Sequence, residues 1–324
     1  MSEFDLIQHY FTKPTQHTNL SIGDDAALIS VSEGHELAIS TDMLISGTHF
    51  FRSAAPYSVG WKSLAVNLSD MAAMGANPKW ATLSIALPSN NPTWLGGFSG
   101  GFFACANAFN VDLIGGDTTR GALTISVQMM GEVPKGKAIK RSGAQVGDDI
   151  WVSNQLGKAA LALAHLLETH NIPDALVQEY LQVLNLPQPR ISLGLALRNV
   201  ASSAIDVSDG LVSEVGHIIK ASKTKLSIAE MGAVIYLDKI PTSSFIHKNL
   251  SQLDFQKFVL AGGDDYELCF TANPKQHDAI DTLSSALNLT LTKVGKITAK
   301  NGVIVLDKHH QAIILDTSGY NHFR

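Results

Sequence analysis

Six short segments of the chain place aspartate beside glycine, serine or threonine, and most of them adjoin apolar runs. In chain order they are Gly23-Asp24-Asp25, Ser40-Thr41-Asp42, Asn67-Leu68-Ser69-Asp70, Gly115-Gly116-Asp117-Thr118-Thr119, Asp206-Val207-Ser208-Asp209-Gly210 and Gly262-Gly263-Asp264-Asp265-Tyr266-Glu267. Two carboxylates about 4 Å apart repel by roughly 4 kcal/mol at an effective dielectric constant near 20. Carboxylate and hydroxyl oxygens are ligands that Mg²⁺ accepts readily. The pattern predicts a fold that gathers carboxylates around cations, and it favours magnesium–nucleotide chemistry.

The composition sets broad limits on the protein. Its 324 residues suggest two domains, and a hydrophobic fraction of 45% is enough for a sizeable core. A net charge of −5 without a basic run argues against a nucleic-acid partner. The N-terminus lacks a signal-like segment, and no apolar run approaches the roughly 20 residues that span a membrane. We therefore expect a cytoplasmic protein without a membrane partner, with Cys105 and Cys269 as buried free thiols.

Apolar periodicity predicts two α/β halves, joined by a basic, glycine-bearing connection over residues 135–147. In the first half we expect strands over 26–31, 36–41, 79–87, 111–114 and 123–133, with helices starting at Pro56 and over 92–109. In the second half we expect strands over 149–153, 204–207, 266–271, 290–297 and 303–306, with helices up to about residue 201 and over 211–221. Asp42 and Asp117 are expected at strand ends, where functional sites often collect. Ser208 or Asp209 is expected to cap the helix that follows.

One segment nearly matches a phosphate-binding P-loop, Gly131-Glu132-Val133-Pro134-Lys135-Gly136-Lys137-Ala138. We reject this interpretation, because Ala138 replaces the hydroxyl residue that would bind Mg²⁺. Pro134 also removes one of the backbone N–H groups that would cradle the phosphates. Of the basic residues nearby, Arg141 is the best candidate for binding phosphate, because its planar guanidinium can clamp two phosphate oxygens.

The six segments, together with His49, Arg141-Ser142-Gly143 and the closing Gly319-Tyr320, follow one another over nearly the whole chain. In this order and spacing the set closely resembles the thiamine-monophosphate kinase family. That family belongs to a superfamily with aminoimidazole ribonucleotide synthetase and selenophosphate synthetase. The resemblance implies a mixed α/β, two-domain fold of the aminoimidazole ribonucleotide synthetase type, whose N-terminal sheet pairs with its mate in a homodimer. It also implies an ATP- and Mg-binding, dimerising domain over residues 1–137, and an α/β domain over 138–324 that completes the phosphate and substrate site.

The activity implied by the resemblance is the ATP-dependent phosphorylation of thiamine monophosphate to thiamine diphosphate, with several Mg²⁺ ions. The resemblance implies Mg²⁺ ligands at Asp25, Ser40, Thr41, Asp42, Asp70, Asp117, Asp206 and Asp209. It implies ATP contacts from Gly116, Asp117, Arg141 and Ser208, and substrate contacts from His49, Asp264 and Tyr320. The residues expected to act directly in phosphoryl transfer are Asp42, Asp70, Asp117, Arg141 and Asp209. The chain departs from the family pattern at Asp264, where Glu is usual, and at Tyr320, where Trp is usual.

The acceptor chemistry makes a catalytic base unnecessary. A phosphate monoester has a second pKa near 6, so at neutral pH it is already an anionic nucleophile. We therefore expect direct in-line transfer, with the aspartates as ligands rather than nucleophiles.

Two alternatives stay open. One is another ATP-dependent enzyme of the superfamily acting on a different small substrate. The absence of any cysteine before Cys105 argues against a selenophosphate synthetase, which carries a reactive Cys or selenocysteine near its N-terminus. The other is a non-catalytic binding protein. Measuring ADP release with and without thiamine monophosphate distinguishes both alternatives from a thiamine-monophosphate kinase.

Overall fold

The computed structural model describes residues 3–315 and Gly319, and it divides the chain into two compact units. Unit 1 comprises Met1–Met71 and Ala76–Gly136, and unit 2 comprises Ala72–Gly75 and Lys137–Arg324. Each unit is built around its own β-sheet with accompanying helices.

Unit 1 combines short N-terminal elements with two long helices and a sheet. Its helices are α1 (Glu3–Leu6), which continues as a π-helical turn over Ile7–Phe11, α2 (Pro56–Ala73), whose last residues belong to unit 2, and α3 (Pro92–Ala108). Its strands are β1 (Thr18–Leu20), β2 (Leu28–Ile29), β3 (His35–Ile45), β4 (Asn77–Leu87), β5 (Asp112–Arg120) and β6 (Thr124–Pro134).

The main sheet of unit 1 has the strand order β3-β6-β4-β5. β6 is antiparallel to both β3 and β4, whereas β4 and β5 are parallel. On β4, Leu83 and Ile85 are buried and the intervening Ser84 is exposed, as expected when one face of a sheet packs against a core. β3 and β5 are the two edge strands of this sheet in the described residues, and each carries functional candidates.

Helices α2 and α3 approach each other closely through glycine. A side chain at Gly101 would place its Cβ 1.8 Å from the Tyr57 carbonyl oxygen, and one at Gly60 would lie 2.0 Å from the Phe98 carbonyl oxygen. Asn91 caps α3 by accepting a hydrogen bond from the Trp94 amide at 3.1 Å. The helix predicted over 92–109 is therefore confirmed, and the contact at Gly101 shows that the close approach of α2 requires glycine at that position of α3.

Unit 2 contains a larger, mostly antiparallel sheet flanked by helices. Its strands are β7 (Asp149–Ser153), β8 (Ser203–Asp206), β9 (Gly232–Tyr236), β10 (Leu268–Ala272), β11 (Leu291–Thr298), β12 (Gly302–Leu306) and β13 (Ala312–Ile313). Its helices are α4 (Lys158–Leu166), α5 (Asp174–Asn185), α6 (Ile191–Ala196), α7 (Leu211–Leu226), α8 (Ser244–Asn249), α9 (Gln252–Phe255) and α10 (His277–Leu287). In the part of the chain described, the strand order is β13-β12-β9-β11-β7-β10-β8, with only β9 and β12 parallel.

The prediction that Asp42 and Asp117 stand at strand ends is wrong. β3 continues to Ile45 and β5 continues to Arg120, so both aspartates lie inside strands. The reason is that a strand with one exposed face accepts polar residues at alternate positions, and an edge strand accepts them more freely still. Strand β9 and helices α8 to α10 were also not predicted.

Two other expectations are confirmed. Cys105 and Cys269 are free and buried, and burial raises the pKa of both thiols. Gly131 to Pro134 of the rejected P-loop form the end of β6, so they make no phosphate-cradling loop. Among the described residues, no helix is both long enough and apolar enough to cross a membrane.

Candidate functional site

In unit 1, a buried asparagine ties helix α2 to the strand that carries Asp42. The Asp42 amide donates a hydrogen bond to Asn67 Oδ1 at 3.0 Å, and Asn67 Nδ2 donates to the Ser63 carbonyl at 3.2 Å. Asn67 is fully buried, and Asp70 follows it by three positions, which places the two on the same side of the helix. α2 therefore brings Asp70 to the side of β3 that carries Asp42. Asn67 was not predicted as a site residue, although it opens the Asn67-Leu68-Ser69-Asp70 segment of the sequence.

Ser40 extends this side of the strand. It lies two residues before Asp42, so it shares the face covered by α2, and its Oγ is buried without a hydrogen-bond partner in the described structure. Ser69 Oγ, beside Asp70, is likewise buried and unpartnered there. The part of the chain described holds no group of three His, Cys, Asp or Glu side chains placed to bind a metal ion. The hard oxygen donors of Ser40, Asp42 and Asp70 nevertheless fit Mg²⁺, which takes several of its ligands from water and phosphate.

Asp117 lies on the opposite face of the same sheet. It pairs with Ser84, Ser84 pairs with Ser126, and Ser126 pairs with Met43, the neighbour of Asp42. Paired residues share a face and consecutive residues alternate, so Asp42 and Asp117 face opposite ways. Three strand spacings also separate β3 from β5, which is about 14 Å. Within one chain, these two predicted metal ligands are therefore kept apart.

The remaining unit 1 candidates lie nearer the surface. Asp25 is in an exposed turn, where its amide donates to Asp24 Oδ1 at 2.8 Å. Thr41 and Gly116 are exposed, and Thr41 Oγ1 accepts a long hydrogen bond of 3.5 Å from Gln128. His49 Nδ1 accepts from the Ile45 amide at 3.0 Å, so a neutral His49 ring carries its proton on Nε2.

In unit 2, the segment from Asp206 to Gly210 connects β8 to α7. Asp206 ends the strand, and the helix begins after Gly210 with no side-chain cap, so the prediction that Ser208 or Asp209 caps α7 is wrong. The cause is Glu214, in the first turn of the helix. Its Oε1 accepts from the Asp209 amide at 3.2 Å and from Ser208 Oγ at 3.4 Å. Glu214 thus holds the turn that carries two predicted site residues.

Glu214 is also the centre of an acidic cluster. It is buried, and burial, reinforced by the charges of Asp206 and Asp209, raises its pKa to about 7, while Arg141 opposes the rise. Asp206 and Asp209 are therefore each close enough to repel Glu214, and a cation would relieve that repulsion. Glu214 was not predicted; its signal in the sequence is an acid one helical turn beyond the Asp209-Gly210 turn.

Arg141 lines an open groove of about 510 Å³ beside α7. Its main-chain carbonyl accepts from Ser222 Oγ at 3.2 Å, which fastens the Arg141 turn to the helix. The other lining residues are Ser142, His217, Lys220, Ala221, Thr224 and Lys225. Those on α7 follow a three-and-four spacing, so they form one face of the helix. The lining is cationic and contains no acid, which suits an anionic ligand.

The segment from Gly262 to Glu267 lies directly against the Asp206 turn. The Asp264 amide donates to the Ser208 carbonyl and the Tyr266 amide donates to the Val207 carbonyl, both at 2.9 Å. A Cβ at Gly263 would lie 2.2 Å from the Ser208 carbonyl oxygen, so only glycine permits this approach. Asp264, a predicted substrate residue, is thereby fixed beside Ser208, a predicted ATP residue. Tyr320 lies outside the described residues.

Two buried acids anchor this segment. Asp265 accepts a hydrogen bond from the Gly157 amide at 2.8 Å, and burial raises its pKa well above the ordinary range. Glu267 accepts from Arg190 Nε at 2.7 Å and Arg190 Nη2 at 2.5 Å, and from Ser153 Oγ at 2.5 Å. The two anchors follow Asp264 and Tyr266 directly in the chain, so they hold the backbone that carries both of these side chains.

Comparisons with known proteins agree with one another. The family model described as AIR synthase related protein, N-terminal domain, matches residues 23–133. Thiamine-monophosphate kinase of Escherichia coli (strain K12) is 42% identical over 325 residues, covering 99% of this chain and 98% of that protein.

Two solved structures are similar over most of the chain. Thiamine-monophosphate kinase from Stenotrophomonas maltophilia K279a superposes with a TM-score of 0.82 at 44% identity, covering 89% of this chain and 91% of that one. AaThiL complexed with AMPPCP and TMP superposes with a TM-score of 0.77 at 28% identity, covering 94% of this chain and 92% of that one. The expected mixed α/β, two-domain fold of the aminoimidazole ribonucleotide synthetase type is confirmed. Because a thiamine-monophosphate kinase that is 42% identical to this chain matches 99% of it, the chain belongs to the thiamine-monophosphate kinase family.

Proposed function

We propose that this chain transfers the γ-phosphate of ATP directly and in line to thiamine monophosphate, giving thiamine diphosphate. The chain is an ATP-dependent thiamine-monophosphate kinase, and the observation that carries this function is the match to such kinases over nearly its whole length. The solved relative that was complexed with AMPPCP and TMP supports the pairing of a nucleotide with a phosphate acceptor.

The site residues divide between the two parts of the chain. We propose that residues 1–137 supply the Mg²⁺ ligands Asp25, Ser40, Thr41, Asp42, Asp70 and Asp117, the ATP contact at Gly116 and the substrate contact at His49. Residues 138–324 supply Asp206 and Asp209 as further ligands, Arg141 and Ser208 as ATP contacts, and Asp264 and Tyr320 as substrate contacts. Mg²⁺, when bound, neutralises phosphate charge and screens the repulsion between donor and acceptor.

In this reaction the protein's own residues position the two substrates and screen the charge of their phosphate groups. The acceptor monoester is anionic at neutral pH, so no residue has to remove a proton from it. Arg141 holds phosphate oxygens from the cationic groove beside α7. Asn67 fixes Asp42 against α2, and Glu214 fixes the Ser208 and Asp209 turn. These contacts preorganise the ligands before the substrates arrive, which is where the catalytic advantage of such a site lies.

ADP release should depend on the acceptor. With ATP and Mg²⁺ present, purified protein should release ADP rapidly when thiamine monophosphate is added and slowly without it, and thiamine diphosphate should accumulate in equal amount. A coupled ADP assay with chromatographic product analysis measures both. Equal ADP release with thiamine or with no acceptor at all would overturn the proposed acceptor, and stable ATP binding without turnover would indicate a binding protein.

We further propose a homodimer formed through the sheet of unit 1. β3 is an eleven-residue edge strand whose outer face exposes Ile39 (56%) and Met43 (53%). A long apolar edge strand invites pairing, and a second copy would cover it.

Charge on this face should dissociate the dimer. The double variant Ile39→Lys, Met43→Lys places two cations on the strand and should sediment as a monomer at micromolar concentration, where the wild type sediments as a dimer. Leu253, which is 63% exposed in unit 2, provides the matched control, and Leu253→Lys should leave the dimer unchanged. A monomeric wild type would contradict the proposal.

A further inference from the structure

We propose that Tyr266 is a positioning residue for the substrate, because its hydroxyl orients the Asp264 carboxylate that contacts thiamine monophosphate. The inference rests on the proposed function, and it goes beyond it by assigning a role to Tyr266, which is not among the predicted site residues. Tyr266 Oη donates a hydrogen bond to Asp264 Oδ1 at 3.1 Å.

The backbone around this hydrogen bond is strained. Asp264 has φ +65° and Tyr266 has φ +50°, both in the left-handed region that non-glycine residues seldom adopt. For a residue as bulky as tyrosine this conformation is unusual and needs support from its surroundings. Strain of this kind concentrates where a protein fixes functional side chains. Two left-handed residues on either side of Asp265 place the Asp264 and Tyr266 side chains within reach of each other.

The surroundings supply that support. Asp265 is held by the Gly157 amide, and Glu267 is held by Arg190 and Ser153. From the other side, the amides of Asp264 and Tyr266 donate to the carbonyls of the Ser208 turn. The segment is therefore fixed at each residue from 264 to 267, and the phenol completes the arrangement by holding the Asp264 carboxylate.

The chemistry of the acceptor decides what this carboxylate contacts. A carboxylate repels a phosphate monoester, so Asp264 serves the organic part of thiamine monophosphate, which offers an aminopyrimidine N–H donor and a cationic thiazolium ring. A hydrogen bond from Tyr266 to one oxygen fixes the plane of the carboxylate and directs it toward that donor or cation. Tyr266 therefore tunes affinity for the acceptor and leaves ATP binding untouched.

Tyr266→Phe tests the proposal, because it removes only the hydroxyl. We expect the KM for thiamine monophosphate, and its Kd measured by calorimetry in the presence of AMPPCP, to rise about three- to tenfold. The KM for ATP should stay within about twofold of the wild-type value, since no predicted ATP contact changes. In an Asp264→Ala background, Tyr266→Phe should have no further effect on the affinity for thiamine monophosphate.

Tyr180→Phe is the matched control. The Tyr180 hydroxyl is hydrogen-bonded to Ser243, which is not a predicted site residue, so its removal should lower the melting temperature and leave both KM values unchanged. The same pattern in Tyr266→Phe, or an equal rise in both KM values, would overturn the proposal. So would a Tyr266→Phe effect that persists in the Asp264→Ala background. If the wild-type protein shows no ADP release that depends on thiamine monophosphate, the proposed function fails first; a failure of the Tyr266 assignment leaves that activity intact.

Discussion

Replacing Asp70 by asparagine is expected to lower kcat by about a hundred- to a thousandfold while the protein stays folded. Asp70 lies one helical turn beyond Asn67, on the side of α2 that is tied to Asp42. An amide has nearly the same shape as a carboxylate but no charge, so the variant loses attraction for a cation and keeps the packing of the helix. Steady-state kinetics at saturating ATP and Mg²⁺, with circular dichroism as the folding check, measures both properties.

A matched variant separates the local effect from a general loss of negative charge. Asp281 is an exposed aspartate on α10 that is not among the predicted ligands, and Asp281→Asn should keep wild-type kcat. A wild-type kcat in Asp70→Asn would show that Asp70 holds no ion needed for transfer. Loss of the helical signal in that variant would instead assign the residue to the stability of α2.

Replacing Arg190 by leucine is expected to reduce the free energy of unfolding by about 3–5 kcal/mol. Glu267 is almost fully buried and receives two hydrogen bonds from the Arg190 guanidinium, with further donors at Ser153 and Asn154. Removing the arginine leaves a buried carboxylate without its counter-ion, and the remaining neutral donors replace only part of the lost attraction. Urea denaturation followed by tryptophan fluorescence gives the change.

The control for this prediction is an exposed ion pair in the same unit. Lys239 Nζ lies 3.4 Å from Asp238 Oδ2, and its side chain is 63% exposed. Lys239→Ala should change the free energy of unfolding by less than about 1 kcal/mol, because solvent screens such pairs. If Arg190→Leu were as mild as Lys239→Ala, the Glu267 network would contribute little to holding the segment that carries Asp264.

The sequence was most informative about local chemistry. Aspartates flanked by small and hydroxyl residues indicated ligand segments, and the order of those segments identified the family. Periodicity located the core strands and the long helices, including a glycine-rich α3. Periodicity failed at Ser40-Thr41-Asp42, where a run of polar residues was interpreted as the end of a strand. The strand continues because β3 lies at the edge of its sheet and exposes one face to solvent, and the sequence alone shows neither property.

The parts of the site that escaped prediction are contacts between distant residues. Asn67 lies 25 positions from Asp42, and Gly157 lies 108 positions from Asp265. No spacing rule joins such pairs, because the fold brings them together only after strands and helices have packed. Glu214 was missed for another reason. An acidic side chain in the first turn of a helix is ordinarily exposed to solvent and stabilises the helix, and only the burial of Glu214 reveals its interaction with Asp206 and Asp209.

The glycine contacts between α2 and α3 limit how this enzyme can be made more heat-resistant. Exchanging helical glycine for alanine is a standard way to raise stability, and Gly100 and Gly216 have room for the added methyl group. At Gly60 and Gly101 the same exchange would wedge the helices apart, and Asp70 would move with the helix that carries it. Engineering for stability should therefore treat Gly60 and Gly101 as part of the active site, although neither is a predicted ligand.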